Sequence, residues 1–286
     1  MQLLLRVFIL FLIGSSLALP YLSDSDGKVR YSDQVAVLMY HHISDTEESS
    51  GTVSTKLFRD QLEYLQRKGY QFLSLEQFHA YMNGGVVPDN AVLVTFDDGY
   101  ESFYLHGVPI LHQLNIPAVN FLITETLDHP DYNPYLSAIP FLSREQVREM
   151  LASTDLIDVG CHTNGNHHKQ DDHAFLTNPI LMDGQPETEE AYENRILWDT
   201  QACLQEVSAL SNEITQDLAY PFGISDEKAR ELIRRCGVKF AYTIVPEMTT
   251  RSTDPLQIPR INGGSPFVTP ELLHQTIQRR IVRTSR

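Results

Sequence analysis

Apolar strands alternate with amphipathic helices along most of this 286-residue chain, and that rhythm constrains the fold more than any other feature. The strongest strand patterns are Val35–Tyr40 (VAVLMY) and Ala91–Phe96 (AVLVTF), and another strand is predicted near Leu256–Ile261. Helical spacing of apolar residues is clear in Leu57–Lys68, where Gly69 ends the pattern. This alternation predicts parallel strands covered by helices, and no glycine-rich phosphate loop follows the first strand. We therefore expect one barrel-like α/β domain rather than a dinucleotide-binding sheet.

The N-terminus has the pattern of a secretory signal peptide. Arg6 precedes the apolar run Val7–Ile13, and Ser16 and Ala18 supply small residues at the −3 and −1 positions. The apolar run is short for the ~20 residues of a membrane span, so we expect an exported protein, periplasmic or extracellular, with no membrane span after cleavage. An uncleaved N-terminal membrane anchor is the alternative. The predicted boundaries are residues 1–18 for the signal peptide, 19–34 for a lead-in and 35–286 for the barrel.

The net charge is strongly acidic. Lys and Arg number 22 against 37 Asp and Glu, which gives a formal charge of −15. Nucleic acid and anionic lipid both require clustered positive charge in the protein that binds them. We therefore expect neither of them to be the main partner.

Three cysteines, Cys161, Cys203 and Cys236, match neither a disulfide framework nor a paired metal motif. Free cysteine is among the most frequently buried residue types. We therefore expect small buried apolar side chains at these positions.

Two carboxylates follow the strand Ala91–Phe96 directly, as Asp97 and Asp98, and Gly99 comes next. Adjacent side chains on a regular strand point to opposite faces, so a turn at Gly99 is needed to bring both to one rim. Two neighbouring negative charges repel each other unless a cation compensates. The pair indicates a divalent metal bound by one carboxylate while the other transfers protons; a surface turn is the alternative.

Histidines cluster after a later strand, Leu156–Gly160, at the start of a polar segment, Thr163–Glu190, that is predicted to be a long loop. His162 and His167 are five residues apart across a turn that contains Gly165, so both imidazoles can converge on one ion. Together with a carboxylate they make a three-ligand site suited to zinc. The open position would hold water, whose pKa a bound zinc lowers to about 7. A solvated polar loop is the alternative.

A third strand end carries Tyr220, Pro221, Phe222 and Gly223. Proline fixes φ and glycine relaxes it, so the segment can hold a turn whose backbone N–H groups point into the barrel mouth. Such donors could stabilise an oxyanion. A plain strand-to-helix turn is the alternative.

Three segments in this order resemble the NodB-homology polysaccharide deacetylases, carbohydrate esterase family 4. They are TFDDG at 95–99, H-T-x-x-x-H at 162–167 and YPFG at 220–223. The resemblance covers roughly residue 35 to the C-terminus, with the metal-site motifs within 95–223. It implies a distorted (β/α)7 barrel that removes acetyl groups from acetylated sugars. It also implies one divalent metal ion, usually zinc, with cobalt, nickel or iron as alternatives.

The family's functional roles transfer residue by residue onto these motifs. Asp97 resembles the catalytic base, and the metal ligands are matched by Asp98, His162 and His167. Thr163 resembles the residue that steadies the second motif. The substrate and oxyanion segment is matched by Tyr220, Pro221 and Phe222, with the Phe222 N–H as the donor.

The chain departs from the common family pattern in three places. The usual H-[ST]-x-x-H spacing would place the second histidine at Asn166, whereas here His167 is the predicted ligand and His168 its alternative. The arginine that often stands two residues before Pro221 is replaced by Ala219, so the usual partner of the base is expected to be missing. The Leu-x-His motif that usually supplies the general acid is also not evident.

These departures, together with LMYHH at residues 38–42, resemble the branch that includes the bacterial poly-β-1,6-N-acetylglucosamine deacetylases. In that branch the histidine of the first strand's Tyr-His pair lies in the active site. The resemblance makes His41 the candidate general acid, since an imidazole can donate a proton at neutral pH. A buried core histidine is the alternative.

The sequence therefore predicts a secreted metal-dependent hydrolase of carbon–nitrogen bonds that removes N-acetyl groups from an amino-sugar polymer. An O-acetyl esterase of the xylan type and a peptidoglycan deacetylase are alternatives of the same class. A non-catalytic carbohydrate-binding protein on the same barrel is the alternative of another class. A two-carboxylate glycosidase is disfavoured, because its carboxylates must flank the bond about 5 to 9 Å apart and Asp97 and Asp98 are adjacent.

Overall fold

The predicted alternation of strands and helices is present in a computed structural model that describes residues 30–129, 139–182 and 184–283. The predicted signal peptide, residues 1–18, lies outside the described residues. The strands are β1 (Gln34–Tyr40), β2 (His42–Ile43), β3 (Thr52–Val53), β4 (Gln71–Phe72), β5 (Ala91–Phe96), β6 (Ala118–Leu122), β7 (Ile157–Cys161), β8 (Lys169–Gln170), β9 (His173–Ala174), β10 (Leu181–Met182), β11 (Gln185–Pro186), β12 (Asp217–Ala219), β13 (Phe240–Tyr242), β14 (Thr249–Thr250) and β15 (Ile261–Asn262). The helices are α1 (Thr55–Arg67), α2 (Leu75–Met82), α3 (Val108–Leu114), α4 (Arg144–Ser153), α5 (Glu189–Ser211), α6 (Glu227–Arg235) and α7 (Pro270–Arg280).

The main sheet is parallel and curls into a barrel. Its strands follow the order β13-β12-β7-β6-β5-β1, with each neighbouring pair parallel, and β14 pairs antiparallel with the outer edge of β1. One segment, residues 258–262, connects the two edges. Ile258 bridges to Tyr242 of β13, while β15 pairs with β1. Six strands and this segment give seven strand positions among the described residues, so the predicted single-domain α/β architecture, a distorted (β/α)7 barrel, is confirmed.

Alternate residues of the central strands pack into two separate hydrophobic cores. Because both faces of these strands are buried, their sequences are continuous apolar runs. In β5, Val92 and Val94 pack in the larger cluster with the residues of α1, such as Leu62. Ala91 and Leu93 belong to a second cluster that lies inside the barrel. The alternation therefore directs the odd-numbered residues of β5 and of the turn after it toward the barrel interior.

Side-chain caps fix where the helices begin. Six of them start at a Ser, Thr or Asp whose side chain accepts a backbone N–H of the first turn, an interaction worth about 1 kcal/mol. These caps are Ser54, Ser74, Ser143, Thr188, Asp226 and Thr269. Within the described ranges, no helix is both long enough and apolar enough to cross a membrane.

The polar segment 163–190 differs from the predicted long loop. It contains two antiparallel two-stranded ribbons, β8–β9 and β10–β11. Strands of two residues are too short to produce an alternating apolar pattern, so they cannot be predicted from periodicity.

Cys161 and Cys203 form a disulfide that joins the end of β7 to α5. The expectation that the cysteines form no disulfide is therefore wrong for this pair. The two residues are 42 positions apart and meet only because α5 packs against β7, which no local spacing could reveal. Cys236 is free, and it is half-buried where a buried side chain was expected.

Candidate active site

A cavity of about 580 Å³ opens where the carboxyl ends of β1, β5, β7 and β12 meet. Parallel barrels carry their chemistry at this end of the strands. The charged, polar and imidazole side chains that line it include His41, Asp97, Asp98, Glu125, His162, His167, His168 and Lys169. The apolar and aromatic lining includes Tyr100, Ile123, Phe141, Phe222 and Ile244. The structure thus gathers the three motifs and His41 at one place.

Asp97 and Asp98 both face the cavity although they are neighbours in the chain. Asp98 and Gly99 each have φ of 76°, in the left-handed region, and this turns the backbone immediately after β5. Left-handed backbone is unusual for a residue other than glycine and persists where the surrounding contacts hold it. The turn expected from Gly99 is present, and Asp98 shares it.

One oxygen of Asp98 lies beside two imidazoles. Its Oδ1 is 3.3 Å from Nε2 of His162 and 3.5 Å from Nε2 of His167. The three candidate ligand atoms all lie within 4.8 Å of one another. Ligand atoms bound to a tetrahedral zinc at about 2.0–2.1 Å are themselves about 3.4 Å apart, which is close to the observed separations.

The hydrogen bonding of these side chains also fits a cation. Oδ1 of Asp98 is buried and has no hydrogen-bond partner within the described part of the chain. Nδ1 of His162 donates to the carbonyl oxygen of Ala219 at 2.8 Å, which leaves the lone pair on Nε2 facing Asp98. A backbone carbonyl in this position orients a metal-binding histidine and fixes its tautomer. The residues present therefore fit a divalent cation.

His168 occupies a different place from His167. Its Nε2 lies 3.5 Å from Oε1 of Glu125 rather than beside Asp98. The structure brings His167 to Asp98 and His162, so it favours the first of the two predicted histidines. The role of His167 as a metal ligand stays a prediction.

The other carboxylate, Asp97, is held by an arginine from far along the chain. Nη1 of Arg260 donates to Oδ1 at 2.7 Å, and Nη2 donates to Oδ2 at 2.6 Å. Arg260 is 0% exposed and Asp97 3% exposed, so this bidentate pair is shielded from water. Nε of Arg260 also donates to the carbonyl oxygen of Thr243 at 2.9 Å, which fixes the plane of the guanidinium.

The usual arginine two residues before Pro221 is absent, as expected, but Asp97, the predicted base, has a different arginine partner. Arg260 lies on the segment 258–262 that completes the barrel, far along the chain from Ala219. One signal for Arg260 is present in the sequence, because this residue falls inside the strand predicted near Leu256–Ile261. A charge within a buried strand requires a partner, because an unpaired buried charge is costly.

Both carboxylates are ionised at neutral pH. Burial raises the pKa of Asp97, but the charges of Arg260 and His162 outweigh burial and hold it below its usual range. Burial likewise raises the pKa of Asp98, but the neighbouring imidazoles of His162 and His167 outweigh burial and bring it well below its usual range. Asp97 is therefore able to accept a proton.

The pKa values of His162 and His167 are shifted in opposite directions. Burial lowers the pKa of His162, but the negative charges of Asp97 and Asp98 outweigh it and raise the pKa above its usual value. At His167 burial dominates over Asp98 and lowers the pKa to about 4. His167 is thus neutral at physiological pH and can donate its lone pair to a cation without losing a proton.

His41 follows β1 directly and lines the same cavity. Its Nε2 lies 3.9 Å from Oδ2 of Asp97, and its side chain is 30% exposed. The side chain is accessible from the cavity, so the alternative of a buried core histidine does not describe it. The position is compatible with a proton donor next to the predicted base.

The turn after β12 brings the Phe222 ring against the imidazole of His167. Phe222 and Gly223 have φ of 59° and 69°, and a Cβ on Gly223 would lie 2.4 Å from Ile244, so this position requires glycine. The Phe222 ring packs on the imidazole of His167 at 4.5 Å between centroids, and Nζ of Lys169 lies 4.4 Å from the Phe222 ring centroid. The turn therefore forms one wall of the cavity.

The other residues predicted from these motifs make structural contacts. The Tyr220 hydroxyl donates to the carbonyl oxygen of Leu256 at 2.8 Å, while its side chain lines the cavity. Pro221 is buried and does not line the cavity. Thr163 has φ of 71° and is buried, and its carbonyl oxygen accepts the backbone N–H of Thr124 at 3.2 Å. Thr163 thus ties the histidine loop to the segment after β6.

Solved structures share this fold. IcaB from Ammonifex degensii is 26% identical, with a TM-score of 0.71 over 86% of this chain and 97% of that chain. The de-N-acetylase from Aggregatibacter actinomycetemcomitans is 24% identical, with a TM-score of 0.75 over 86% of this chain and all of that one. Fold and site together define a hydrolytic enzyme of the α/β-barrel class.

The chain belongs to the polysaccharide deacetylase family, whose family model matches residues 84–241. Curated relatives include the poly-β-1,6-N-acetyl-D-glucosamine N-deacetylase of Staphylococcus aureus strain MRSA252, 25% identical over 248 residues that cover 87% of this chain and 78% of the relative. The Staphylococcus epidermidis enzyme of the same name is 26% identical over 251 residues, with the same coverage. The predicted resemblance, and the prediction of a hydrolase of this class acting on carbon–nitrogen bonds, are confirmed.

Proposed function

We propose that the protein is an exported, metal-dependent N-deacetylase of a poly-N-acetylglucosamine-like polymer. The observation that carries this proposal is the convergence, in one cavity, of an arginine-held carboxylate and a separate carboxylate–imidazole cluster. Asp97 with Arg260 forms the first group, and Asp98 with His162 and His167 forms the second. The two functions that amide hydrolysis needs, a base and an electrophilic site, are thus assigned to different side chains.

The relatives support the choice of substrate. Two staphylococcal proteins that align with 87% of this chain are named as deacetylases of poly-β-1,6-N-acetyl-D-glucosamine. Their reaction cleaves an amide bond, which makes an N-acetylated amino sugar the substrate we propose here.

We assign Asp98, His162 and His167 to one divalent cation, with zinc the expected ion because its preferred donors are imidazole nitrogen and carboxylate oxygen. A cation in this position supplies Lewis acidity, which acidifies water and polarises a carbonyl oxygen.

We assign the proton transfers of the reaction to Asp97 and His41. Arg260 fixes the Asp97 carboxylate through both oxygens, so its orientation toward the cavity is set before substrate arrives. Asp97 accepts the proton of the attacking water, and His41 donates a proton to the leaving amine nitrogen. Nε2 of His41 lies 3.9 Å from Oδ2 of Asp97, so the proposed acid and the proposed base face the same part of the cavity.

The backbone N–H of Phe222 is the proposed donor to the oxygen that becomes negative as the acetyl carbonyl is attacked. Aromatic and apolar side chains at the cavity wall, Tyr100, Ile123 and Phe141, reduce the amount of water around the proposed position of the carbonyl and so strengthen these interactions.

Export is supported by the disulfide between Cys161 and Cys203 and by the signal-peptide pattern of residues 1–18. Disulfides persist in oxidising compartments such as the periplasm and the extracellular space. The proposed location is therefore outside the cytoplasm, where polysaccharide is accessible.

Parallel acetate-release assays test the function. The zinc-loaded protein is incubated with β-1,6-linked N-acetylglucosamine oligomers, chitooligosaccharides, peptidoglycan and acetylxylan. We expect release to be fastest from the β-1,6-linked oligomers. Faster release from acetylxylan or peptidoglycan would replace the proposed substrate, and glycan binding without any release would indicate a non-catalytic carbohydrate-binding protein.

A further inference from the structure

Helix α5 presents one face to the loop that carries the predicted histidine ligands. Arg195, Asp199 and Cys203 recur every four residues on this helix, so they lie on the same face. Each of them contacts a residue between 161 and 167. We call these three residues the α5 clamp.

Asp199 holds the middle of the loop. Its Oδ1 accepts the backbone N–H of Gly165 at 2.6 Å, and its Oδ2 accepts that of Asn164 at 3.1 Å. The side chain is only 3% exposed, so water does not compete for these bonds. Both amides belong to residues between His162 and His167, and Asp199 thereby fixes the backbone that separates the two imidazoles.

The other two clamp residues act at the ends of the loop. The disulfide from Cys203 reaches Cys161, the residue immediately before His162. Nη1 of Arg195 donates to Oδ1 of Asn166 at 2.9 Å, and Asn166 immediately precedes His167. Each predicted ligand is therefore flanked by a contact to α5.

The length of this loop makes such support necessary. It has one residue more between its histidines than the common H-[ST]-x-x-H spacing, and every additional ordered residue costs backbone conformational entropy. Hydrogen bonds to the loop backbone restrict it before a cation binds. A loop held in advance binds the cation more tightly than a loop that must be ordered by it.

We propose that Asp199 is a positioning residue for the metal site: it holds the loop 163–166 so that His162 and His167 keep the spacing that a divalent cation requires. This inference rests on the metal site assigned under the proposed function. A purely structural role would lower the stability of the metal-free protein, whereas a positioning role lowers metal affinity.

The test compares zinc affinity in Asp199→Asn with that of the wild type, measured by competition with a chromogenic chelator. The amide offers one acceptor oxygen where the carboxylate offers two, so one loop amide loses its partner. We expect about 10- to 100-fold weaker zinc binding, the range typical of groups that orient metal ligands. Cobalt(II) absorption of the same variants reports whether the coordination geometry has changed, independently of activity.

Asp158→Asn is the matched control. Asp158 lies on β7, the strand that leads to His162, but near its other end, and it accepts one backbone N–H, from Leu75 at 3.4 Å. We expect its zinc affinity to stay within about twofold of the wild type. Thermal unfolding of all variants in chelator shows whether the metal-free fold is intact.

Asn166→Ala provides a second variant if Asp199→Asn is not recovered folded. It removes the Arg195 contact from the loop side and should weaken zinc binding in the same direction. Two results would overturn the positioning role alone: unchanged zinc affinity in Asp199→Asn, or an equal loss of affinity in Asp158→Asn. If Asp199→Asn does not fold, unchanged zinc affinity in Asn166→Ala would overturn it. A wild type that binds no divalent cation would overturn the metal site and the positioning role together.

Discussion

Arg260 donates hydrogen bonds to both carboxylate oxygens of Asp97, at 2.7 and 2.6 Å, from a position 163 residues further along the chain. The segment that completes the barrel therefore also completes the candidate catalytic site. The arrangement makes the geometry of the predicted base dependent on barrel closure, since Arg260 lies between Ile258, which bridges β13, and Ile261, which pairs with β1.

Arg260→Met leaves the Asp97 carboxylate buried without its counter-charge. Breaking a buried pair in this way costs about 3–5 kcal/mol, and we expect that loss in the free energy of unfolding measured with urea in chelator. Adding Asp97→Asn removes the unpaired charge and should recover most of the loss. If the changes in the free energy of unfolding caused by the two substitutions are additive, the two side chains do not act as a pair.

His162→Ala and His167→Ala should each lose most of the bound divalent metal, because each removes one of the three proposed ligands. His168→Ala is the control, since His168 lies in the same cavity but beside Glu125. We expect it to keep one metal ion per chain by elemental analysis. Full metal content in His167→Ala with loss in His168→Ala would transfer the ligand role to His168.

His41→Ala should depress amide hydrolysis by about 10²–10⁴-fold and leave the metal content unchanged. An amide nitrogen must be protonated as it leaves, whereas the phenolate of an activated aryl ester departs without a proton. The variant should therefore retain far more of its activity on the ester. Equal losses on the two substrates would indicate that His41 positions the substrate and is not the acid.

Asp199 makes stability depend on pH. Its pKa is raised from 3.8 to about 6, mainly by burial and in addition by the charge of Glu125, while the N–H bonds of Gly165 and Asn164 and the charge of Arg195 lower it. Cys236 also lies near this carboxyl, and its own pKa is raised, so it stays neutral in this range.

Between pH 4 and pH 6 the folded protein therefore holds a proton that the unfolded chain has released. Stability must fall as pH rises through this window, by about 3 kcal/mol at most. We expect the free energy of unfolding of the wild type, measured in chelator, to decrease relative to that of Asp199→Asn from pH 4 to pH 7. A constant difference would contradict a raised pKa at Asp199.

The fold and most of the site residues were predictable from local patterns. The run AVLVTF followed by two aspartates and a glycine specifies a buried strand, its end and a turn, all within nine residues. The carboxyl ends of the parallel strands lie together at one end of the barrel, and this brings Asp97, Asp98 and His162 close to one another.

The contacts that the sequence did not predict are all long-range. Arg260 reaches Asp97 across 163 residues, and Cys161 pairs with Cys203 across 42. Asp199 looks like any polar residue of a helix until α5 is packed against β7. Such partners depend on how the elements pack, and no local periodicity encodes that.

The most direct test of the central claim is mass spectrometry of a β-1,6-linked N-acetylglucosamine oligomer incubated with the protein. Protein stripped by chelator, protein reloaded with zinc, and zinc-loaded Asp97→Asn are compared at neutral pH. We predict loss of acetyl groups only with the zinc-reloaded wild type, and intact oligomer with the stripped protein and with Asp97→Asn, although the latter retains its metal. Deacetylation that persists at full rate in the stripped protein or in zinc-loaded Asp97→Asn, or none with zinc, cobalt, nickel or iron, would contradict the account.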